Sequence, residues 1–582
     1  MGKAKHGLGA VALVGVGALL LAACGGSDNG TDTSSDGTPQ SGGTLHLLTS
    51  ASKILHLDPQ RNYTGEDLAF ANSYLNRTLT SYTFVEGEDG WKIQPDLATD
   101  TGTPNSDATS WEFTLRDGVS FEDGSPVTCD DIKYGVSRTF ALDVVNQGPT
   151  YAIDMLDIPK LKDGSSAYKG PYDTSKDNDV AAFDKAIVCS NGGKTITFNL
   201  GLSVPDFNAT VTLLAFSPVP KAVDQDPATG GENYDTHMVS TGPYKIQSYD
   251  KGRSLVLVRN ENWDKASDPI RPAYPDEIDY EFSIDPNSID QRLIADEGDD
   301  QEAIGIDYMQ SNVLNQVFSN PQYADRAFNY LDPYSSYIAI DTNKVSNPLQ
   351  RQAIMVALNR AERRTIYGGD YAGDLADGVI KSNFLGYEPT QLWDSLLGQS
   401  IPDTGDPEYA KQLIQQSGEP MPELQFDYST NPDADKAAGA LVQAEAKAGI
   451  KVTANPIDPG QYYGIVFDPD KAGELMAGGW GPDWSNASTI IPPLFASDGG
   501  WNLSRYDNPK VDDEIDAALN EIDLTKQAQM WNALNAEIMK DGAVIPTLFT
   551  KSQRMAGSNV HGTYPGMWAP YGSWPYGVLW VS

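Results

Sequence analysis

The chain has 582 residues, several times the size of an ordinary domain, so two or more lobes are expected. Its formal net charge is −39, which repels nucleic acid and anionic lipid headgroups and leaves neutral or cationic partners. Aromatics make up 10% of the chain, with 11 Trp and 28 Tyr, enough for a large core and for aromatic-lined clefts.

The N-terminus reads as a targeting segment. Lys3 and Lys5 form a positive start, and Leu8 to Ala23 is an apolar run of 16 residues ending Leu-Ala-Ala-Cys-Gly at 21–25. Small residues before a cysteine mark a bacterial lipoprotein signal over 1–23, and the run is short for a span of about 20 residues. Cys24 is then the lipidated first residue, which anchors the protein on the outer face of the plasma membrane. Residues 24–42 are, after Cys24, mostly Gly, Ser, Thr and Asp without a large apolar side chain, a flexible tether of about 25 Å as a random coil. No later run is apolar enough to cross a bilayer. The compartment is oxidising, and the remaining pair, Cys129 and Cys189, suggests a disulfide contributing about 4 kcal/mol in the chain-entropy model.

Strand and helix patterns alternate along the body, which reads as α/β or α+β. TLHLLTS (44–50) and SWEFTLRDGVSF (110–121) are strand-like. Thr128 and Asp131 match a capping box opening a helix through Ile132, Val136 and Phe140. KTITFNL (194–200), SLVLVRN (254–260) and YIAIDTN (337–343) are strands; a helix from Leu349 to Arg364 ends at Gly368-Gly369. Further helices are expected over Pro407–Gln416 and Ala434–Ala448, followed by the strand IKVTANP. One long helix is expected over Asp512–Asp541, then the strand VIPTLFT and an aromatic tail.

Gly192-Gly193-Lys194-Thr195 imitates the end of a phosphate loop. The position of the required upstream glycine is Val188 and a strand follows, so it reads as a hairpin turn. Five histidines, at 6, 46, 56, 237 and 561, show no paired metal spacing; His56 and His237 read as surface or packing residues. No nucleophile elbow is present, so a secreted hydrolase has no motif behind it. Asp299-Asp300 and Asp512-Asp513 read as solvated charge.

The stretch Gly-Gly-Trp-Gly-Pro-Asp-Trp at 478–484 stands apart. Asp483 lies between Trp480 and Trp484, and no Lys or Arg occurs from Ala472 to Ser504. An acid among large aromatics is costly unless something pairs with it. Asp483 therefore points to water, or its partner comes from a distant residue or a ligand. On spacing alone a surface turn is the commoner role for such an Asp.

Several segments carry a resemblance. They include GGTLHLL with Leu57-Asp58-Pro59, WEFTLRDGVSFEDGSPVTCDDIKYGVSR, SPVPK (217–221), STGPYKI (240–246) and RNENW (259–263). YIAIDTN with NPLQRQAIMVALNR, PEYAKQLIQQSG, AKAGIKV and GGWGPDW follow in the same order. The chain resembles the large extracytoplasmic solute-binding proteins of ABC importers, the family 5 group of oligopeptide, dipeptide and nickel-chelate binders. The resemblance implies a two-lobed periplasmic-binding-protein-like fold of the large type, with an accessory subdomain and a two-strand hinge. It places lobe 1 at 43–80, 238–331 and 545–582, the accessory subdomain at 81–237 and lobe 2 at 332–544.

The resemblance further implies no enzyme activity, no cofactor and no metal site, a monomer, and a permease and ATPase as partner subunits. It gives Asp483 the α-amino group of a bound peptide, a charge-assisted contact that fixes chain direction. Gly478, Gly479 and Gly481 then admit ligand backbone, Trp480 and Trp484 supply walls, and Tyr63 and Tyr151 lie at the cleft rim. Met476-Ala477-Gly478 offers no cation upstream of the Trp, where some relatives carry one. A longer peptide, or a non-peptide solute such as a nickel chelate, a sugar or another small cation, fits one unpaired acid equally well.

Overall fold

The computed structural model describes residues 37–582, apart from 385, 460, 565–567 and 569. The expected leader at 1–23, Cys24 and residues 25–36 of the expected tether lie outside the described residues. Three main sheets, each with its own hydrophobic cluster, build the body.

The first sheet runs in the order Ala303–Gly305, Thr44–Leu48, Glu277–Glu281, Ser254–Arg259, Tyr244–Asp250. Thr44–Leu48 pairs in parallel with both of its neighbours, and the others are antiparallel. Period-two alternation explains its buried face: Leu255, Leu257, Ile278 and Tyr280 point inward between half-exposed residues. Helix Gly65–Tyr74 covers that face through Phe70 and Tyr74.

The small third sheet, Thr103–Pro104, Ser110–Thr114, Thr195–Asn199 and Ile187–Ser190, is antiparallel throughout. Trp111, Phe113, Ile196 and Phe198 fill its core. Helix Cys129–Arg138 opens with the capping box of Thr128 and Asp131, both halves of it formed. A disulfide joins Cys129 to Cys189, with Cα atoms 5.9 Å apart. Gly192 and Gly193 make the turn between Ile187–Ser190 and Thr195–Asn199, with φ of 67° and 85°.

The second sheet holds six strands in the order Gly373–Leu375, Val544–Met555, Ala327–Ile340, Leu475–Trp480, Leu424–Ser429, Val452–Ile457. Its two longest strands also form the hinge. Phe328 and Tyr330 of one strand sit in the core of the first sheet, while Tyr337 to Ile340 sit in the core of the second. Between them the pairing with Val544–Met555 shifts register from Leu331 to Ser335, at Asp332-Pro333. Proline cannot donate to a ladder, so it belongs at such a bulge. Buried Asp332 pins the bend, accepting from Lys381 Nζ at 2.8 Å, Thr550 Oγ1 at 2.6 Å and the Tyr334 amide at 2.8 Å.

Four elements differ from the sequence reading. The helix expected over 349–364 is two, Pro348–Ala357 and Arg360–Ile366. Leu358 is extended, and the Asn359 side chain accepts the Glu362 amide, capping the second helix. The helix expected over 512–541 also divides, into Pro509–Leu519 and Leu524–Asp541, because Asp523 accepts the Thr525 and Lys526 amides. The strand expected over 110–121 stops at Thr114, and VIPTLFT continues to Met555. Asp300 is no solvated charge: Arg292 holds it at 2.6 Å.

Candidate functional site

Strand Leu475–Trp480 lies between Ala327–Ile340 and Leu424–Ser429, with Gly479 opposite Ser336 and Trp480 opposite Ser335. The chain then turns through Gly481-Pro482 and presents Asp483. Its amide donates to Thr489 Oγ1 at 3.3 Å, which fixes the turn. Two of the glycines serve the protein's own packing. A Cβ at Gly478 would overlap the Tyr337 ring, and one at Gly481 would overlap the Tyr334 ring. Gly479 is exposed, so its backbone is open to an approaching ligand.

Asp483 is half-buried, open on one side and crowded by protein on the others. Its Oδ2 accepts hydrogen bonds from Tyr63 OH at 2.9 Å and from Tyr151 OH. Tyr63 precedes helix Gly65–Tyr74 and Tyr151 opens the helix Tyr151–Met155, so three separate parts of the chain meet at one carboxylate. Burial pushes the Asp483 carboxyl up to about 6, and the two tyrosine hydroxyls oppose that rise. Burial, and then the negative charge of Asp483, hold both phenols well above their ordinary range. They remain neutral donors. No cation contributes to the electrostatics of Asp483 among the described residues. The partner left open by the sequence is thus a pair of neutral hydroxyls, which stabilise the charge without cancelling it.

Asp483 faces a cavity of about 390 Å³ lined by Tyr63, Gly479, Trp480, Gly481, Tyr334 and Trp501, among others. Trp480 is half-buried there; its indole N–H donates to the Thr489 carbonyl at 2.7 Å and its ring packs on Trp501 at 5.2 Å. Ser336, Tyr463 and Gly479 also line a second cavity of about 660 Å³, so the two are neighbours. Both volumes suit a small ligand.

Trp484 corrects the expectation of a second aromatic wall. It is 2% exposed and packs in the core of the small sheet, 4.8 Å from the Tyr151 ring. Its indole N–H donates to Asp206 Oδ2 at 2.6 Å, an oxygen that also accepts from Asn486 Nδ2 at 2.8 Å. Burial raises the Asp206 carboxyl, opposed by those two donors. Trp484 therefore clamps the turn that carries Asp483 instead of meeting a ligand in this cavity.

Sequence reasoning missed Tyr334, Tyr463 and Trp501. Tyr334 follows the hinge bulge, and Tyr463 lies on the short helix Tyr462–Val466, where no periodicity singles it out. His56 packs, with Nε2 2.7 Å from Gln147 Oε1. Among the described residues no cluster of three His, Cys, Asp or Glu is placed to hold a metal ion, and no helix is long and apolar enough to cross a membrane.

Known proteins share this architecture. The glutathione-binding protein GsiB of Salmonella paratyphi A is 22% identical over 525 residues, covering 86% of this chain and 90% of that protein. GsiB of Shigella flexneri is 23% identical over 584 residues, 97% of each chain. Among solved structures, the clavulanic acid biosynthesis oligopeptide binding protein 2 superposes with a TM-score of 0.83 at 26% identity, over 93% of this chain and 96% of that one. The ABC transporter-associated periplasmic binding protein DppA from Helicobacter pylori, in complex with the peptide STSA, gives 0.70 at 18% identity over 93% and 98%, which speaks for the fold alone. The model of the bacterial extracellular solute-binding proteins, family 5 Middle, matches residues 92–502. The chain has the two-lobed fold of these binding proteins and belongs to the bacterial extracellular solute-binding proteins of family 5, which serve ABC importers.

Proposed function

We propose that this protein captures peptides between its lobes, with the α-ammonium of the first residue on Asp483, and delivers them to an ABC permease. One observation carries the reading. A half-buried carboxylate, held among the described residues by two neutral hydroxyls and no cation, faces an aromatic cavity. An ammonium is the partner such a group lacks, and in a cavity the pair is worth more than in water. Exposed Gly479 lies at the same wall, on a strand whose pairing with Leu424–Ser429 reaches only Met476, so an extended peptide can hydrogen-bond to that open edge without its side chains being read. The oligopeptide-binding name of a relative with 26% identity supports the class.

In this proposal Cys24 carries the lipid anchor outside the plasma membrane, and the tether raises local concentration at the permease. Lobe 1 comprises 43–80, 238–331 and 545–582, lobe 2 comprises 332–544, and the subdomain at 81–237 supplies Tyr151. A second reading keeps the fold and takes a cationic non-peptide solute, favoured by the same lone acid.

A thermal-shift and calorimetry screen against a peptide library tests the choice. Peptide binding is expected. Firm binding of another solute class, with no peptide bound, would defeat the peptide reading.

A further inference from the structure

A further cavity, of about 490 Å³, shares no lining residue with the two beside Asp483. One side of it comes from residues 82–209 and the other from residues 380–532. In the proposed division these are the accessory subdomain and lobe 2. Tyr82, Trp91, Phe384, Trp484 and Trp531 line it, and all of them are buried. Trp91 joins the two sides, with its ring 6.3 Å from that of Tyr82 and 6.1 Å from that of Phe384, edge-on to both.

The charges on these walls have one sign. Asp206 and Glu388 line the cavity, and among the described residues no Lys, Arg or His does. Buried Asp206 uses one oxygen, Oδ2, for the Trp484 indole at 2.6 Å and for Asn486 Nδ2 at 2.8 Å. Among the described residues its Oδ1 accepts from no other residue, and no cation contributes to the electrostatics of the group. Neutral donors stabilise a carboxylate without cancelling its charge, and a buried charge without a counterion is costly. An anion is repelled from such a wall, and a neutral apolar molecule leaves the acid unmatched. A cation gains twice, from the carboxylate and from the ring faces, of which tryptophan is the best. A metal ion needs several oxygen ligands, and among the described residues no group of three His, Cys, Asp or Glu is placed to hold one. The volume suits a small organic ion instead, and the net charge of −39 enriches cations at the protein surface.

We propose that this cavity is a second binding site, for a small organic ammonium ion, with its charge at Asp206 Oδ1 and its carbon groups against Trp91, Trp484 and Trp531. Trp484 and Asn486 fix the carboxylate through its other oxygen, so the group is oriented before the ion arrives. Trp484 then serves on two sides: it clamps the turn of Asp483 and walls this cavity. Asp483 lies outside the cavity, so the site stands apart from the reading of the cleft.

The test is calorimetry with choline, with its neutral isostere carrying a tert-butyl group in place of trimethylammonium, and with ethanolamine, the primary ammonium of the same chain. The reference protein is Asp483→Asn, which removes the cleft acid as a rival site for a cation. Asp206→Asn and Trp91→Leu are each added to it, and each protein is first shown to melt cooperatively. Asp206→Asn keeps an oxygen for the Trp484 indole and loses only the charge. In the reference protein choline is expected to bind about tenfold or more tighter than its neutral isostere. Asp206→Asn is expected to reduce that preference below about threefold, and Trp91→Leu to weaken choline about fivefold. Binding of ethanolamine as tight as that of choline assigns the site to primary ammonium ions, and weaker binding assigns it to alkylated ones. Equal affinity for choline and its isostere overturns the site, as does binding of neither ammonium to the reference protein. A preference for choline that survives both Asp206→Asn and Trp91→Leu unchanged overturns it as well.

Discussion

If Asp483 holds the ligand's ammonium, as proposed, affinity depends on pH in a calculable way. Its carboxyl, pushed up to about 6 by burial, is mostly ionised at pH 7 and mostly protonated at pH 5. An ammonium binds the ionised form, so binding expels a proton below that midpoint. Lowering the pH from 7 to 5 is expected to weaken binding about tenfold, or about 1.4 kcal/mol, with little change above pH 7. Tyr151→Phe removes one of the two hydroxyls that oppose the rise, so the midpoint moves further up and binding at pH 7 weakens. The stability of the free protein runs the other way. A folded-state value above the unfolded one makes the contribution complete below pH 3.8 and lost as pH rises through about 6. The window corresponds to at most about 3 kcal/mol, and Asp483→Asn recovers part of it at pH 7 while abolishing the pH dependence of binding. Calorimetry in two buffers of different ionisation enthalpy, from pH 5 to 8, reads affinity and proton release together. A flat wild-type profile between pH 5 and 7, or the same slope in Asp483→Asn, would refute the reasoning.

Two further outcomes follow from buried groups elsewhere. Glu445, fully buried on helix Pro432–Lys447, has no hydrogen-bond partner at either oxygen among the described residues, and burial pushes its carboxyl well above 4.5. Glu445→Leu is expected to stabilise the protein by about 1–3 kcal/mol in urea unfolding at pH 7. In wild type this group lowers stability as pH rises above 4.5, by up to about 1.4 kcal/mol per pH unit until its folded value is reached; the variant lacks that term, and an unchanged slope argues against it. Trp484→Phe takes the indole donor from buried Asp206 and is expected to cost about 1–3 kcal/mol by the same measurement, with weakened ligand binding because the Asp483 turn loses its clamp. Wild-type stability in that variant would show the contact to be idle.

The strand at 254–260 was legible in the sequence, and Leu255 and Leu257 alternate there as a half-buried sheet requires, whereas Glu277–Glu281 beside it was not read. The capping box at Thr128 was legible because cap chemistry is local. The breaks at Asn359 and Asp523 were not, although each is also a cap: the apolar pattern continues across them, and a cap inside a continuous pattern is outweighed by the pattern. Asp483 could be read as costly from its neighbours, but its partners lie 420 and 332 positions away and carry no motif. Trp484 looked like a twin of Trp480, and its separation from the cavity depends on Asp206, 278 positions upstream.

The most direct measurement is calorimetry of one peptide with a free and with an acetylated N-terminus, against wild type and Asp483→Asn. Acetylation removes the ammonium, and losing one partner of a desolvated charge pair costs about 2 kcal/mol or more, so wild type is expected to bind the acetylated form about 30-fold more weakly or worse. Asp483→Asn, having no charge to satisfy, is expected to distinguish the two forms by less than about threefold. Equal acetylation penalties in the two proteins would contradict the account, because the amino group would then be held by something other than Asp483.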